Sequence, residues 1–96
     1  MDDNLYEKSG NEIIRELGKR YSDYRKRFGF TQKDISAKSG LSVFTISSFE
    51  NGSSTGITMA SFIKLLRAME SLEEIEKLLP ELPKSPRALF KSQGKK

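Results

Sequence analysis

The 96-residue chain contains neither cysteine nor histidine. Without cysteine it can form no disulfide and no thiolate metal site, which excludes a secreted disulfide scaffold. Without histidine it lacks the commonest general base and metal ligand. Serine and threonine are plentiful, but no obvious base is present to activate their hydroxyl groups. We therefore predict a protein that is not an enzyme, with no catalytic residue, no metal site and no cofactor.

Long apolar runs are absent as well. No stretch approaches the ~20 apolar residues that a membrane-spanning helix needs, and the opening MDDNLYEKSG is too acidic and polar for a signal peptide. We expect a soluble cytoplasmic protein that does not contact membranes. The length suffices for one small domain with a single core. We place this domain at residues 11–80, between an N-terminal segment at 1–10 and a proline-spaced basic tail at 81–96.

The charge is unevenly distributed along the chain. The net charge of +4 is the balance of acidic segments at 1–16 and 53–83 and basic segments at 17–52 and 84–96. Such clustering is typical of a protein that binds nucleic acid. An ordinary solvated surface explains the same distribution equally well.

Helical periodicity dominates the pattern of apolar residues. They recur every three or four positions from Asn11 to Phe28, which predicts one long helix. The sequence TQKD predicts a capping box at Thr31 and a second helix, and Ser42 and Thr58 are the expected N-caps of a third and a fourth. A further capping box of Ser71 with Glu74 predicts a short fifth helix. Five helices with short connections predict a compact all-α domain.

The second and third predicted helices, at 31–39 and 42–50, are separated by the turn Ser39-Gly40-Leu41. Gly40 suits the left-handed conformation that such a turn requires. We expect Ile35, Leu41, Ile46 and Phe49 to point inward, and Ser42, Val43, Phe44, Thr45, Ser47 and Ser48 to form the outer and leading face of the third helix. This is a helix-turn-helix, in which the second helix of the pair enters the DNA major groove with its N-terminus first.

Four blocks between Leu17 and Met69 resemble one known family. The blocks LGKRYSDYR, GFTQKDISAKSGLS, TISSFENG and TMASFIKLLRAME are similar to the helix-turn-helix family of the lambda-type phage repressors and Cro, called the XRE family. The resemblance implies a lambda-repressor-like fold and a sequence-specific DNA-binding transcriptional regulator, a repressor or autorepressor. It also implies double-stranded operator DNA as the partner.

The resemblance assigns roles to particular residues. Arg25 and Glu50 match a structural ion pair between the first and third helices, which we expect to be partly exposed and worth ~1 kcal/mol. The amide of Gln32 matches a group that contacts a phosphate or braces a neighbouring base-reading side chain, and Lys33 beside it is the best candidate for a phosphate contact. The complete predicted DNA-binding set is Gln32, Lys33, Ser42, Val43, Phe44, Thr45, Ser47, Ser48 and the loop residue Asn51.

The sequence also departs from the family pattern. Many relatives carry Arg, Lys or Gln at the positions of Val43, Phe44 and Ser48, and those side chains make bidentate contacts to bases. Here we expect apolar contacts of Val43 and Phe44 with thymine methyl groups, supported by hydroxyl groups; alternatively, Phe44 is a partly buried packing residue. Ser36 stands where the family usually has alanine, and its hydroxyl needs a partner, such as a backbone carbonyl one turn earlier.

A second copy of the chain is one expected protein partner. One small domain reads few base pairs, so we expect a homodimer. Its predicted interface is the apolar face of the fifth helix, Leu72, Ile75, Leu78 and Leu79; alternatively, this face covers the core of its own monomer.

The run LEEIEKLLPELPKSPRALFKSQGKK resembles the end of the Hip-type antitoxins, which implies a serine/threonine kinase-like toxin as partner. A stand-alone repressor and a protein-interaction adaptor that does not bind DNA specifically are the alternatives.

Overall fold

The computed structural model describes residues 5–84, and in this range it contains α-helices and 3-10 turns but no β-strand. The five α-helices are α1 (Gly10–Arg27), α2 (Gln32–Ser39), α3 (Val43–Asn51), α4 (Met59–Ala68) and α5 (Ile75–Leu78). Two 3-10 turns, at Leu5–Glu7 and Leu72–Glu74, precede α1 and α5. The predicted all-α fold of five helices is confirmed.

Local capping determines where the first four helices begin. The Thr31 side chain accepts a hydrogen bond from the Asp34 amide, and the Asp34 carboxylate accepts one from the Thr31 amide, so the predicted capping box is present. Ser42 and Thr58 cap α3 and α4 as predicted. The start of α1 differs from the prediction, because Ser9 forms a capping box with Glu12 and the helix begins within the predicted N-terminal segment.

The predicted capping box at the fifth helix is wrong. Ser71 makes no capping hydrogen bond, and its hydroxyl instead donates to the Met69 carbonyl at 3.2 Å. The cause is the end of α4, where Glu70 adopts the left-handed conformation with φ of 56° and the Ser71 amide turns back to the Leu66 carbonyl. This turn buries Ser71, and the chain continues as a 3-10 turn before the four residues of α5.

The core is formed between the first four helices, α1 to α4. Its buried apolar residues are Tyr21, Ile35, Ile46, Phe49, Phe62, Leu65, Leu66, Ala68 and Met69. The Tyr21 hydroxyl donates to the Leu65 carbonyl at 2.9 Å and so joins α1 to α4. Gly18 permits close contact of α1 with α3, because a Cβ atom there would collide with the Phe49 carbonyl oxygen. Thus α1 packs against α3 and α4 packs against α2, so both helices of the helix-turn-helix are supported by a neighbour.

Candidate DNA-binding interface

A buried ion pair connects α1 to α3. The Arg25 guanidinium donates from Nε to Glu50 Oε2 and from Nη2 to Glu50 Oε1, both at 2.8 Å. Arg25 also donates from Nη1 to the Phe30 carbonyl at 2.8 Å. The expectation of a partly exposed pair is wrong, since Arg25 and Glu50 are only 7% and 8% exposed. The reason is that Phe30 and the start of α2 pack beside it.

Gln32 completes this network from α2. Its Nε2 donates to Glu50 Oε1 at 3.0 Å, so the amide nitrogen is directed toward the ion pair. The Glu50 carboxylate therefore receives hydrogen bonds from α1 and from α2 while it belongs to α3. We call these three residues, Arg25, Gln32 and Glu50, the buried network. It fixes the position of all three helices relative to one another.

The electrostatics of the buried network favour its charged form. Burial acts to raise the pKa of Glu50, but the hydrogen bonds from Arg25 and Gln32 and the positive charge of Arg25 outweigh burial, and the pKa lies below its ordinary value. The hydrogen bond to Glu50 raises the pKa of Arg25, against the effect of burial. The two charges thus stabilise each other in the folded state.

The turn between α2 and α3 is stabilised by its own hydrogen bonds. Gly40 is left-handed, with φ of 80°, and its amide donates to the Ser36 carbonyl. The Ser36 hydroxyl donates to the Leu41 carbonyl at 2.6 Å. This partner lies five residues later in the chain, not one turn earlier as expected, because the left-handed turn brings Leu41 back over α2.

The first turn of α3 presents apolar side chains to solvent. Phe44 is 80% exposed and Val43 is exposed beside it, so the alternative that Phe44 is a packing residue is wrong. Ser42 lies exposed at the N-cap, where its oxygen accepts from the Thr45 amide and its hydroxyl donates to Thr45 Oγ1, both at 3.0 Å. Thr45 and Ser47 are half-buried. The exposed surface of α3 is therefore mainly apolar at its leading end.

Ser48 and Asn51 are placed differently from the prediction. Ser48 is only 7% exposed, so its assignment to the outer face is wrong. It lines a depression of about 250 Å³ between α3 and the chain at 54–58, together with Phe44 one turn earlier. The following segment covers Ser48 from its other side, and the Ser54 amide donates to the Ser48 carbonyl at 3.2 Å. Asn51 is the last residue of α3 and not a loop residue, and its Oδ1 accepts from the Ser53 amide at 2.8 Å.

The basic residues of α2 have different surroundings. Lys33 is exposed in the first turn, and within residues 5–84 it makes no ion pair. Lys38, in the last turn, has its Nζ 4.8 Å from the centre of the Phe30 ring, in a cation–π contact. The first-turn amides at Gln32 and Lys33 have no acceptor within their own helix, and the positive end of the helix dipole lies beside them. Lys33 and this helix end together can attract an anion.

The apolar face predicted at the fifth helix divides into two parts. Leu72 and Ile75 are half-buried and pack against the core of their own monomer. Leu78 and Leu79 are exposed. The expectation that all four residues share one free face is wrong, because the 3-10 turn rotates Leu72 and Ile75 onto α4.

Between residues 5 and 84, no cluster of acidic residues has an arrangement that could hold a metal ion. None of the helices in this part of the chain combines the length and the apolar character needed to cross a membrane.

The fold and the position of the helix-turn-helix agree with a comparison to known families. Residues 22–75, more than half of the chain, match the model of the helix-turn-helix family HTH_3. The chain belongs to this family. The resemblance to XRE-type proteins is thereby confirmed, and because the family is a DNA-binding, non-enzymatic one, the protein is a DNA-binding transcription regulator in kind. Comparisons with curated proteins and with solved structures gave no match.

Two contributors to the interface were missed from the sequence. The Phe30 carbonyl, which accepts from Arg25, has no sequence signature because any residue offers that group. Gly18, which lets α1 approach α3, did have one, since a glycine inside a periodic helical segment indicates close packing.

Proposed function

We propose that the protein is a sequence-specific repressor that reads the major groove with the first turn of α3, as a dimer, and regulates its own gene. The observation that carries this proposal is the 80% exposure of Phe44 at the leading end of a helix held by the buried network. The methyl group of thymine is the one apolar feature of base edges in the major groove. Phe44 and Val43 together suit contact with it.

Hydroxyl groups contribute less to this readout than the sequence suggests. The Ser42 hydroxyl already donates to Thr45 Oγ1 and its oxygen accepts from the Thr45 amide, and Ser48 is buried. No side chain of the first turn can make the bidentate contact that discriminates a base by ~1–3 kcal/mol. Discrimination therefore depends on thymine methyl contacts and on the shape of the groove.

Phosphate contacts supply most of the affinity in this proposal. Lys33 is exposed next to the N-terminus of α2, where backbone amides are available to an anion. Gln32, whose amide nitrogen is bonded to Glu50, acts mainly by holding this helix end in place. Dimerisation adds a second half-site one helical turn away and thus raises specificity.

The test is fluorescence anisotropy with DNA from directly upstream of the gene and with scrambled DNA, at two salt concentrations. We expect a preference of ~10³-fold or more for the upstream DNA and a log affinity that falls linearly with log salt. Phe44→Ala should weaken binding to upstream DNA more than to scrambled DNA. Lys33→Glu should weaken both equally, and Lys64→Glu, at an exposed position of α4 outside the helix-turn-helix, serves as its charge-matched control.

Equal losses on both DNAs for Phe44→Ala would reject Phe44 as a reader of bases. A second candidate function, a protein-interaction adaptor, is favoured by the absence of charged side chains on the exposed first turn of α3. It predicts weak binding that is the same on both DNAs and that Lys33→Glu does not change.

We also propose a kinase-like toxin as a protein partner, on the resemblance of the C-terminal run to Hip-type antitoxins. The part of this run beyond residue 84 lies outside the described residues. Co-expression with a kinase-like protein encoded next to the gene should give a complex that survives gel filtration. Elution as two separate peaks would reject this partner and leave the repressor function unaffected.

A further inference from the structure

An apolar groove lies on the side of the molecule formed by α1, α4 and α5. It has a volume of about 200 Å³, and its apolar lining includes Leu17, Tyr24, Leu66, Met69 and Leu78. Arg20 lies at the same groove and is exposed; within residues 5–84 it makes no hydrogen bond or ion pair. We call this the α1–α5 groove. Glu74 and Lys77 also line it and pair with each other at 3.4 Å. The groove thus offers an apolar floor, one internal ion pair and the unpaired positive charge of Arg20.

The chain leaves this groove directly after Leu78 as a non-helical segment, residues 79–84, which we call the arm. The arm, LPELPK, carries Leu79 and Leu82, which are 88% and 86% exposed. Between them lies Glu81, which is also exposed and forms no ion pair with any residue of the described range. Two apolar side chains and one negative charge are thus presented together.

Two prolines restrict the conformations of the free arm. Pro80 and Pro83 fix two φ angles and favour an extended polyproline conformation with three residues per turn. At that period, Leu79 and Leu82 lie on the same face. Because the prolines restrict the free chain, the arm loses less conformational entropy when it binds than an unrestricted segment would.

We propose that the arm of each protomer docks in the α1–α5 groove of a second copy of this chain, with the partner's leucines in the groove and Glu81 paired with Arg20 across the interface. This inference rests on the dimer in the proposed function and names its surface. The exposed leucines match the apolar floor, and the unpaired charges are of opposite sign. Because each arm starts at the edge of a groove, two copies related by a two-fold axis can exchange arms reciprocally.

The first experiment is sedimentation of the full-length protein over a range of concentrations, with Leu82→Asp as the test variant. The substitution lies at an exposed position, so circular dichroism should find the fold unchanged. It should raise the dimer dissociation constant by ~10-fold or more, because a carboxylate would enter the apolar groove. Leu5→Asp, at another exposed leucine outside the groove and the arm, is the matched control and should leave the constant unchanged.

Charge reversal tests the proposed ion pair between Arg20 of one protomer and Glu81 of the other. Arg20→Glu and Glu81→Arg should each weaken the dimer, and the double variant should restore it, since every protomer then carries both reversed charges. Failure of the double variant to recover would overturn the pairing of Arg20 with Glu81.

The outcomes separate this inference from the proposed function. If the native protein and Leu82→Asp form equally stable dimers, the arm inference is wrong and the dimer forms through another surface. If the native protein is monomeric at every concentration, both the arm inference and the dimer are wrong, whereas DNA readout by α3 is still tested independently by the anisotropy experiment.

Discussion

Replacement of Arg25 by leucine is the most direct test of the buried network. It removes both hydrogen bonds to Glu50 and the one to the Phe30 carbonyl. The Glu50 side chain, only 4% exposed, then loses its counter-charge and keeps only the hydrogen bonds from the neutral side chains of Gln32 and Ser22. A carboxylate in this situation has neither water nor a cation to stabilise it.

Burial determines the size of the effect. An exposed ion pair contributes ~0–1 kcal/mol, which is the value expected from the sequence. Removal of one partner of a buried pair costs ~3–5 kcal/mol, a large part of the ~5–15 kcal/mol that stabilises a typical domain. We expect Arg25→Leu to lose ~3–5 kcal/mol of unfolding free energy, because both side chains are nearly inaccessible to solvent.

The assay is urea unfolding followed by circular dichroism at pH 7. Arg27→Leu, at an exposed position of the same helix, is the control and should change the free energy of unfolding little. The double replacement of Arg25 and Glu50 by leucine should cost less than Arg25→Leu alone, since no unpaired charge is left. A loss below ~1 kcal/mol for Arg25→Leu would refute the reasoning, because it is the result for an exposed pair.

The pH dependence of the free energy of unfolding independently tests the direction in which the pKa of Glu50 is shifted. In the native protein the pKa of Glu50 is lowered, so its stabilising contribution is present above the unfolded pKa and is lost as the pH falls through the folded pKa. In Arg25→Leu, burial without the cation raises the pKa of Glu50 instead, and the penalty grows as the pH rises. The difference in unfolding free energy between the two proteins should therefore narrow as the pH is lowered from 7.

Two substitutions test the backbone. Gly18→Ala should destabilise the fold by ~1–3 kcal/mol in urea unfolding, because its Cβ would collide with the Phe49 carbonyl, although alanine normally favours a helix. Gly10→Ala, whose Cβ meets no atom within 4 Å, should not destabilise. Glu70→Gly should raise the urea midpoint and add up to ~1 kcal/mol, since glycine adopts φ of 56° without strain, whereas Glu73→Gly in the 3-10 turn should lower it. A rise with Gly18→Ala or a fall with Glu70→Gly would contradict these assignments.

Features that depend on neighbours in the sequence could be predicted, and features that depend on tertiary contacts could not. The capping box of Thr31 and Asp34 involves residues three apart, so its pattern can be read from four letters. The end of α4 could not be read in this way, because Glu70, and not a glycine, takes the left-handed position. Because this turn has no glycine signature, the sequence predicts Ser71 as an N-cap, whereas the structure buries it.

The same division applies to the interface. The family resemblance located α3 and named the Arg25–Glu50 pair, but the burial of that pair depends on Phe30 and Gln32, which come from another part of the fold. The outer-face position expected for Ser48 is wrong because α3 has only nine residues and carries apolar and small polar side chains on both faces, so its periodicity hardly distinguishes the inner face from the outer one.

In the proposed interface, different residues hold α3 in position and contact the bases. The buried network holds α3 through side chains that solvent barely reaches, while Val43 and Phe44 contribute exposed surface to its first turn. A loss of the buried network should therefore weaken binding to every DNA sequence, because the whole helix-turn-helix loses its fixed geometry. A change at Phe44 should alter the preference among sequences at unchanged stability, since 80% of its surface is exposed and little packing is lost. Stability and DNA preference measured on the same two variants would thus separate the two roles.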